Sequence, residues 1–229
     1  YGFTTLLDDD DSNNNVSLLG MPSENDWVLN SLAYDPSMIR DYLSYTLASN
    51  TGNYAPRVAY IEVIVNGDYK GVYFLTEKVK RDSDRVNLKK IADDDNDFPE
   101  VTGGYIIKAD KTTGGDEVAW TMPNYGGWDT NFLHHYPKTE DITSAQANYI
   151  ETVFYDLEAQ TNPANTSIVD GYPSMIDIPS FVDYILMAEF ASNPDAYQFS
   201  TYFHKDRGGK LRAGPIWDYN LSFGNDLFV

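Results

Sequence analysis

The alternation of apolar and polar residues predicts an antiparallel hairpin in the first third of the chain. The run RVAYIEVIV is followed by Asn66-Gly67 and then by DYKGVYFLT. An Asn-Gly pair between two β-rich runs favours a tight two-residue turn with positive φ. Residues 57–76 are therefore predicted to form two paired strands, with Glu77 and Lys78 at the end of the second.

A second hairpin is predicted near the end of the chain. The runs STYFHKD and KLRAGPIWD are separated by Gly208-Gly209, a pair typical of a turn. We expect Ser200 to open the first strand and Asp218 to end the second. A shorter strand is predicted over residues 103–111, GGYIIKADK, and irregular loops over residues 112–140.

Three segments have the apolar spacing of amphipathic helices: residues 36–48, 143–160 and 180–192. Asp35 is the expected N-cap of the first, with Pro36 at its first position. The fold class predicted is therefore α+β, in one domain spanning residues 1–229. A strand-rich lobe (1–111) would face a helical lobe that carries the second hairpin (112–229) across a cleft.

Composition restricts the partners. Sixteen Lys and Arg against 35 Asp and Glu give a net charge of −19, which disfavours binding to nucleic-acid phosphates. There is no cysteine, so thiolate metal sites and cysteine nucleophiles are excluded. No run approaches the roughly 20 apolar residues of a membrane-spanning helix, so we expect no membrane insertion. The composition loosely fits a bacterial protein that is exported, and the sequence looks like a truncated piece of a larger one.

The candidate chemistry lies at the open ends of the second hairpin. Asp195 precedes Ser200 by five residues, and Asn220 follows Asp218 by two. Because a hairpin brings its ends together, we expect these four side chains to share one pocket. Carboxylate, hydroxyl and amide oxygens are ligands suited to Mg²⁺, and the order of residues meets the needs of phosphoryl transfer.

Four blocks of sequence, in order, resemble the spore coat protein H (CotH) family of atypical, kinase-like proteins. They are residues 17–30, 60–88, 102–111 and 195–225, which include SLLGMPSENDWVLN, TGGYIIKADK and GPIWDYNLSFGN. The resemblance implies a divergent protein-kinase-like fold that uses ATP and Mg²⁺, with Mn²⁺ as a substitute, to phosphorylate Ser or Thr of a protein substrate.

By position, the resemblance makes Asp195 the catalytic aspartate and Asp218 the metal-binding aspartate. Asn220 and Ser200 then serve as auxiliary metal ligands. Both depart from the family pattern, in which a second acidic residue and an Asn are frequent at these positions. Since a neutral donor holds Mg²⁺ less well than a carboxylate, both changes are expected to weaken the metal site.

A lysine is also needed at the ATP phosphates. Adjacent residues of a strand point to opposite faces, so Glu77 and Lys78 cannot both face one cleft. Lys78 is the preferred phosphate contact, and Lys108 and Arg40 are its rivals.

An alternative function is a non-catalytic binding or scaffolding module, outside the cell or on its surface, beside other modules of a larger protein. Glycoside hydrolysis by Asp195 and Asp218 has only the two carboxylates in its favour. The acidic loops at 8–11 and 93–97 lack the sequence pattern of a Ca²⁺-binding loop, so Ca²⁺ is a less favoured cofactor than Mg²⁺.

Overall fold

The computed structural model describes residues 1–8, 11–112, 115–123, 127–161 and 166–226. The chain forms two antiparallel sheets and a set of helices. The first sheet has the order β1-β2-β4-β3, and the second has the order β6-β7-β5-β8-β9. Parts of the first acidic loop and of the 112–140 segment lie outside the described residues.

The first sheet contains the predicted hairpin. Its strands are β1 (Gly2–Thr4), β2 (Asp26–Ser31), β3 (Val58–Val65) and β4 (Asp68–Glu77). Asn66 and Gly67 both have positive φ, 53° and 84°, as the two-residue turn requires. The first hairpin is therefore confirmed.

The second sheet is formed mostly by strands that follow residue 111. They are β5 (Tyr105–Ala109), β6 (Trp120–Pro123), β7 (Asp129–Tyr136), β8 (Thr201–Lys205) and β9 (Leu211–Ala213). β5 is the middle strand and pairs with both β7 and β8. The prediction of irregular loops over 112–140 is wrong, because β6 and β7 pair with each other and bury Trp120 against Phe132 at a ring distance of 5.1 Å.

The helices are α1 (Arg40–Ser49), α2 (Ser144–Thr161), α3 (Tyr172–Met175) and α4 (Ile178–Ala191), with a 3₁₀ turn at Glu100–Thr102. Helices α2 and α4 fall where the sequence predicts them. Helix α1 starts four residues later than predicted, after Met38 at φ 59°. Asp35 is not its N-cap: the carboxylate accepts the backbone N–H of Ser37 and of Arg40, and so closes the turn that precedes the helix.

The two faces of the second sheet pack on different parts of the chain. On one face Tyr105 and Ile107 lie with α2 in a cluster that includes Ile150 and Phe154. On the other face Ile106 packs with the segment that follows β4. Lys108 and Asp110, two and four residues after Ile106, continue along that second face.

Helix α1 packs on α4 and also contacts the first sheet, where the Tyr42 ring lies 5.7 Å from that of Tyr60. Tyr45 and Ala48 lie with Met187 and Ala191 of α4, and with Ile216 and Tyr219, in one buried cluster. The chain after β9 therefore runs between the two helices. This packing places the segment around Asp218 directly against α1.

Candidate active site

The second hairpin forms and brings Asp195 and Asp218 together, although its strands are shorter than predicted. β9 ends at Ala213, five residues before Asp218. Gly214, at φ 101°, turns the chain away, and Pro215 has no N–H to donate to a ladder. The prediction that Asp218 ends the second strand is therefore wrong. Asp218 lies instead in the irregular segment beyond it, with a left-handed φ of 61°.

Asp195 lies in a turn that follows α4. Its backbone N–H donates to Asn193 Oδ1 at 3.2 Å, and its carbonyl accepts the N–H of Phe199 at 2.8 Å. Asp195 and Asp218 are both half-buried. Burial raises the pKa of Asp218, and the negative charges of Asp195 and Asp110 raise it further. The pKa of Asp195 is raised mainly by burial, although nearby Lys111 opposes the change.

Asp110 and Lys111 complete this acidic site and were missed by the sequence reasoning. They directly follow β5, and Lys111 Nζ lies 5.1 Å from the centre of the Phe199 ring. Asp110 raises the pKa of Asp195 as well as that of Asp218. The signal in the sequence was the charged run KADK at the end of an apolar strand.

Ser200 and Asn220 lie in the same two segments as the acidic pair, and both are half-buried. Ser200 immediately precedes β8 with φ 50°, and the Asn220 carbonyl accepts an N–H from Asn225 at 2.9 Å. These two residues therefore lie close along the chain to Asp195 and Asp218, respectively. The structure does not assign a ligand role to either side chain.

Backbone strain is concentrated around this site. Among the described residues, eight non-glycine residues have positive φ, and five of them lie between 192 and 223. These five are Ser192, Tyr197, Ser200, Asp218 and Phe223. A left-handed backbone costs an L-residue about 1–2 kcal/mol, and such strain collects at functional sites.

A group of lysines lies next to the acidic site on the second sheet. Lys108 Nζ bonds to Asp116 at 2.7 Å and lies 3.6 Å from Asp110. Its partner across the ladder, Tyr202, is buried. Burial raises the pKa of Tyr202, and so do the negative charges of Asp110, Asp116 and Asp218. Tyr202 is therefore close to both Lys108 and the acidic site.

Lys78 lies near Lys108, because both lysines act on the same histidine, His135. Burial lowers the pKa of His135 to about 4, and the positive charges of Lys138, Lys108 and Lys78 contribute to the change. His135 contacts the Tyr202 ring edge-on at 5.1 Å. Glu77, next to Lys78, is fully buried and binds Arg57 Nη1 at 2.8 Å, so the two neighbours do point to opposite sides.

Arg40, the third candidate for phosphate binding, is engaged in bonds at the start of α1. Its guanidinium pairs with Asp35, donates to Ser37 Oγ at 2.7 Å and donates to the carbonyl of Ser222 at 2.9 Å. These contacts join α1 to the segment that carries Asp218. Lys108, by contrast, lies on the second sheet, with its Nζ 3.6 Å from Asp110 of the acidic site.

The donor set suits a hard divalent cation completed by other ligands. No group of three or more His, Asp or Glu side chains in the described part of the chain is close enough to form a metal cage by itself. Mg²⁺ is commonly held by only one or two carboxylates, with phosphate oxygens and water supplying the rest. Asp195 and Asp218 supply two neighbouring carboxylates, since the charge of Asp195 acts on Asp218, and so meet this requirement.

The second acidic loop has a structural role. Asp95 Oδ2 accepts from Arg207 Nη2 at 2.7 Å and from the backbone N–H of Ala92 at 2.9 Å. This carboxylate joins the loop to the turn of the second hairpin.

The family model of the CotH kinase protein matches residues 1–227, nearly the whole chain. The chain therefore belongs to the CotH kinase protein family. No curated protein matches the chain. None of the described helices is both long enough and apolar enough to span a membrane.

Proposed function

We propose that this kinase-like protein is an atypical protein kinase that transfers the γ-phosphate of ATP to a Ser or Thr hydroxyl of a protein. The observation that carries the proposal is the pair formed by Asp195 and Asp218. Two half-buried carboxylates with raised pKa values lie close together, Asp218 itself has a positive φ of 61°, and Lys108 and Lys111 lie nearby. Groups with such perturbed pKa values, collected in one place, are typical of catalytic sites.

Asp195 is the general base in this proposal. Its carboxylate accepts the proton of the substrate hydroxyl as that oxygen bonds to the γ-phosphorus, and the bond from the γ-phosphorus to the bridging oxygen of ADP breaks. A carboxylate whose pKa is raised by burial is a better proton acceptor than an exposed one. The positive charge of Lys111, beside Asp195, limits this rise in the pKa.

Asp218 is the principal ligand for Mg²⁺, or for Mn²⁺ in its place, with Asn220 and Ser200 as auxiliary ligands. When bound, the cation neutralises charge on the phosphates during transfer. Binding also relieves the repulsion between Asp218, Asp195 and Asp110, which is one cause of the raised pKa of Asp218.

Lys108 is the phosphate contact best supported by the structure, with Lys78 beside it. Lys108 lies on the same sheet face as Asp110, next to Tyr202, and its ammonium group forms a salt bridge with Asp116. Lys78 is exposed at the end of β4 and close enough to affect His135. Arg40 remains a third candidate, although its bonds to Asp35 and Ser222 give it a structural role already.

A thermal-shift titration tests the proposal. We expect ATP to raise the melting temperature only when Mg²⁺ or Mn²⁺ is present, and Asp218→Ala to abolish the shift. Asp156→Ala, at an exposed position of α2, is the matched control and should behave like the wild type. If Asp218→Ala keeps the full metal-dependent shift, the metal assignment is wrong.

The alternative, a non-catalytic binding or scaffold module located outside the cell or on its surface, is supported by an apolar face of α4. Val182, Leu186 and Phe190 are exposed along this face, and Phe190 is 68% exposed. Exposed apolar patches often mark binding surfaces. Stabilisation by glycans, with no response to ATP and metal, would favour this module over the kinase.

A further inference from the structure

Three side chains of α1 bond to the backbone of the segment that carries Asp218. We call residues 218–222 the metal loop. Asp41 Oδ1 accepts the N–H of Tyr219 at 2.7 Å, and the Tyr45 hydroxyl accepts the N–H of Asp218 at 3.2 Å. At the other end of the loop, the Ser222 carbonyl accepts from Arg40 Nε at 2.9 Å. Two consecutive backbone N–H groups and one carbonyl of the metal loop therefore have their hydrogen-bond partners on one helix.

These contacts are buried, so water cannot readily replace them. Asp41 is 5% exposed and Tyr45 is 2% exposed. The Tyr45 ring also stacks on Trp217, the residue before Asp218, with centroids 6.3 Å apart. A buried amide that loses its acceptor is left unsatisfied, which is energetically unfavourable. The bonds should therefore strongly favour one loop conformation.

The conformation that they hold is an unfavourable one. Asp218 has φ 61°, and non-glycine residues rarely adopt the left-handed region unless the surroundings enforce it. The bonds from Asp41 and Tyr45 bracket this residue, because they bind its own N–H and that of its neighbour. The direction of the Asp218 side chain follows from this backbone conformation.

We infer that Asp41 and Tyr45 are positioning residues that fix the metal loop so that the Asp218 carboxylate faces Asp195. Arg40 supports them at Ser222, where its own position is set by Asp35. The inference rests on the proposed function only for the role of Asp218 as a metal ligand. The dependence of the loop conformation on α1 is a separate claim, which can be measured without ligand.

Amide hydrogen exchange of Asp218 and Tyr219, in the protein without ligand, tests that claim. We expect Asp41→Ala to speed exchange of the Tyr219 amide by about tenfold or more, the factor expected for losing one buried hydrogen bond. Asp41→Asn keeps an oxygen that can accept the same N–H and should retain the protection. Tyr45→Phe keeps the ring on Trp217 but removes the hydroxyl, so it should speed exchange of the Asp218 amide.

Matched controls separate loss of the bond from general damage. Tyr42→Phe makes the same chemical change as Tyr45→Phe on the exposed side of α1, and Asp156→Ala makes the same change as Asp41→Ala on the surface of α2. Both should leave exchange of the metal loop unchanged. The affinity for Mn²⁺, measured by water proton relaxation, supplies a second readout: Asp41→Ala should weaken it about tenfold, and Asp41→Asn should restore it.

The outcomes distinguish the two proposals. If Asp41→Ala and Tyr45→Phe leave the exchange of both amides unchanged, or if Asp41→Asn is as damaging as Asp41→Ala, the positioning role is wrong. If exchange responds as expected but the wild type binds no Mn²⁺, α1 does position the loop and the metal site of the proposed function fails. Should Asp41→Ala not fold, Asp41→Asn and Tyr45→Phe still test the positioning role.

Discussion

The buried carboxyl of Asp41 should make the stability of this protein fall as the pH rises. Burial raises the pKa of Asp41 to about 7 from an ordinary value of 3.8, and the negative charges of Asp218 and Asp35 add to the effect. The hydrogen bond from the Tyr219 N–H opposes it. The difference is about 3 pKa units, and at about 1.4 kcal/mol per unit it corresponds to roughly 4 kcal/mol.

The sign follows from proton binding in the two states. Between pH 3.8 and about 7 the folded protein keeps the proton on Asp41 and the unfolded protein does not. Acidic conditions therefore favour the folded state, and this contribution is lost as the pH rises through about 7. Other groups act in the opposite direction, since burial lowers the pKa of His204 and of His135 to about 4. The pH profile of the wild type alone is thus not diagnostic.

Comparison with Asp41→Asn isolates the effect, because the amide cannot ionise and most other groups are shared. We expect the free energy of unfolding of Asp41→Asn, relative to the wild type, to rise by up to roughly 4 kcal/mol between pH 4 and pH 8. Urea unfolding at intervals of one pH unit measures it. A difference between the two proteins that does not change with pH, or that changes in favour of the wild type at high pH, would refute the reasoning.

Three further predictions concern the two sheets and the lysine group. Glu77→Ala should destabilise the fold by about 2–3 kcal/mol in urea unfolding, because it leaves the backbone N–H of Arg57 and the Tyr54 hydroxyl without their acceptor; a loss below about 1 kcal/mol would contradict this. Gly103→Ala should cost about 1–3 kcal/mol or more, since a Cβ there would lie 2.3 Å from the Asp206 carbonyl carbon, whereas Gly2→Ala, in open space, should be neutral. Lys108→Met should weaken metal-dependent ATP binding at least about tenfold in calorimetry, and Lys70→Met is its control. Equal affinities of the two variants for ATP would show that Lys108 does not contact the phosphates.

Local chemistry explains the parts of the fold that could be predicted from the sequence. Asn66-Gly67 determines its own turn, and the apolar spacing of α2 and α4 marks a helix without reference to the rest of the chain. By contrast, β6 and β7 are stabilised by pairing and by the stacking of Trp120 on Phe132, which no short window of sequence reveals. A segment rich in Gly, Asn and aromatic residues therefore gave the wrong prediction.

In the candidate site, too, the residues that depend on local sequence could be predicted, and those that depend on long-range contacts could not. Asp195 and Asp218 were found because a hairpin necessarily brings its two ends close together. Asp41 was missed because an acidic residue in the first turn of a helix usually lies at the surface. Its burial depends on contact with Tyr219, 178 positions further along the chain. Asp110 joins the pair only because β5 lies beside β8 in the sheet.

Calorimetric titration of ATP into the wild type and into Asp218→Ala, with and without Mn²⁺, tests most directly whether the acidic pair holds a cation together with the nucleotide. We predict binding by the wild type only when Mn²⁺ is present, and no binding by Asp218→Ala under either condition. Binding that is equally strong without the metal, or that survives the loss of the Asp218 carboxylate, would contradict the account.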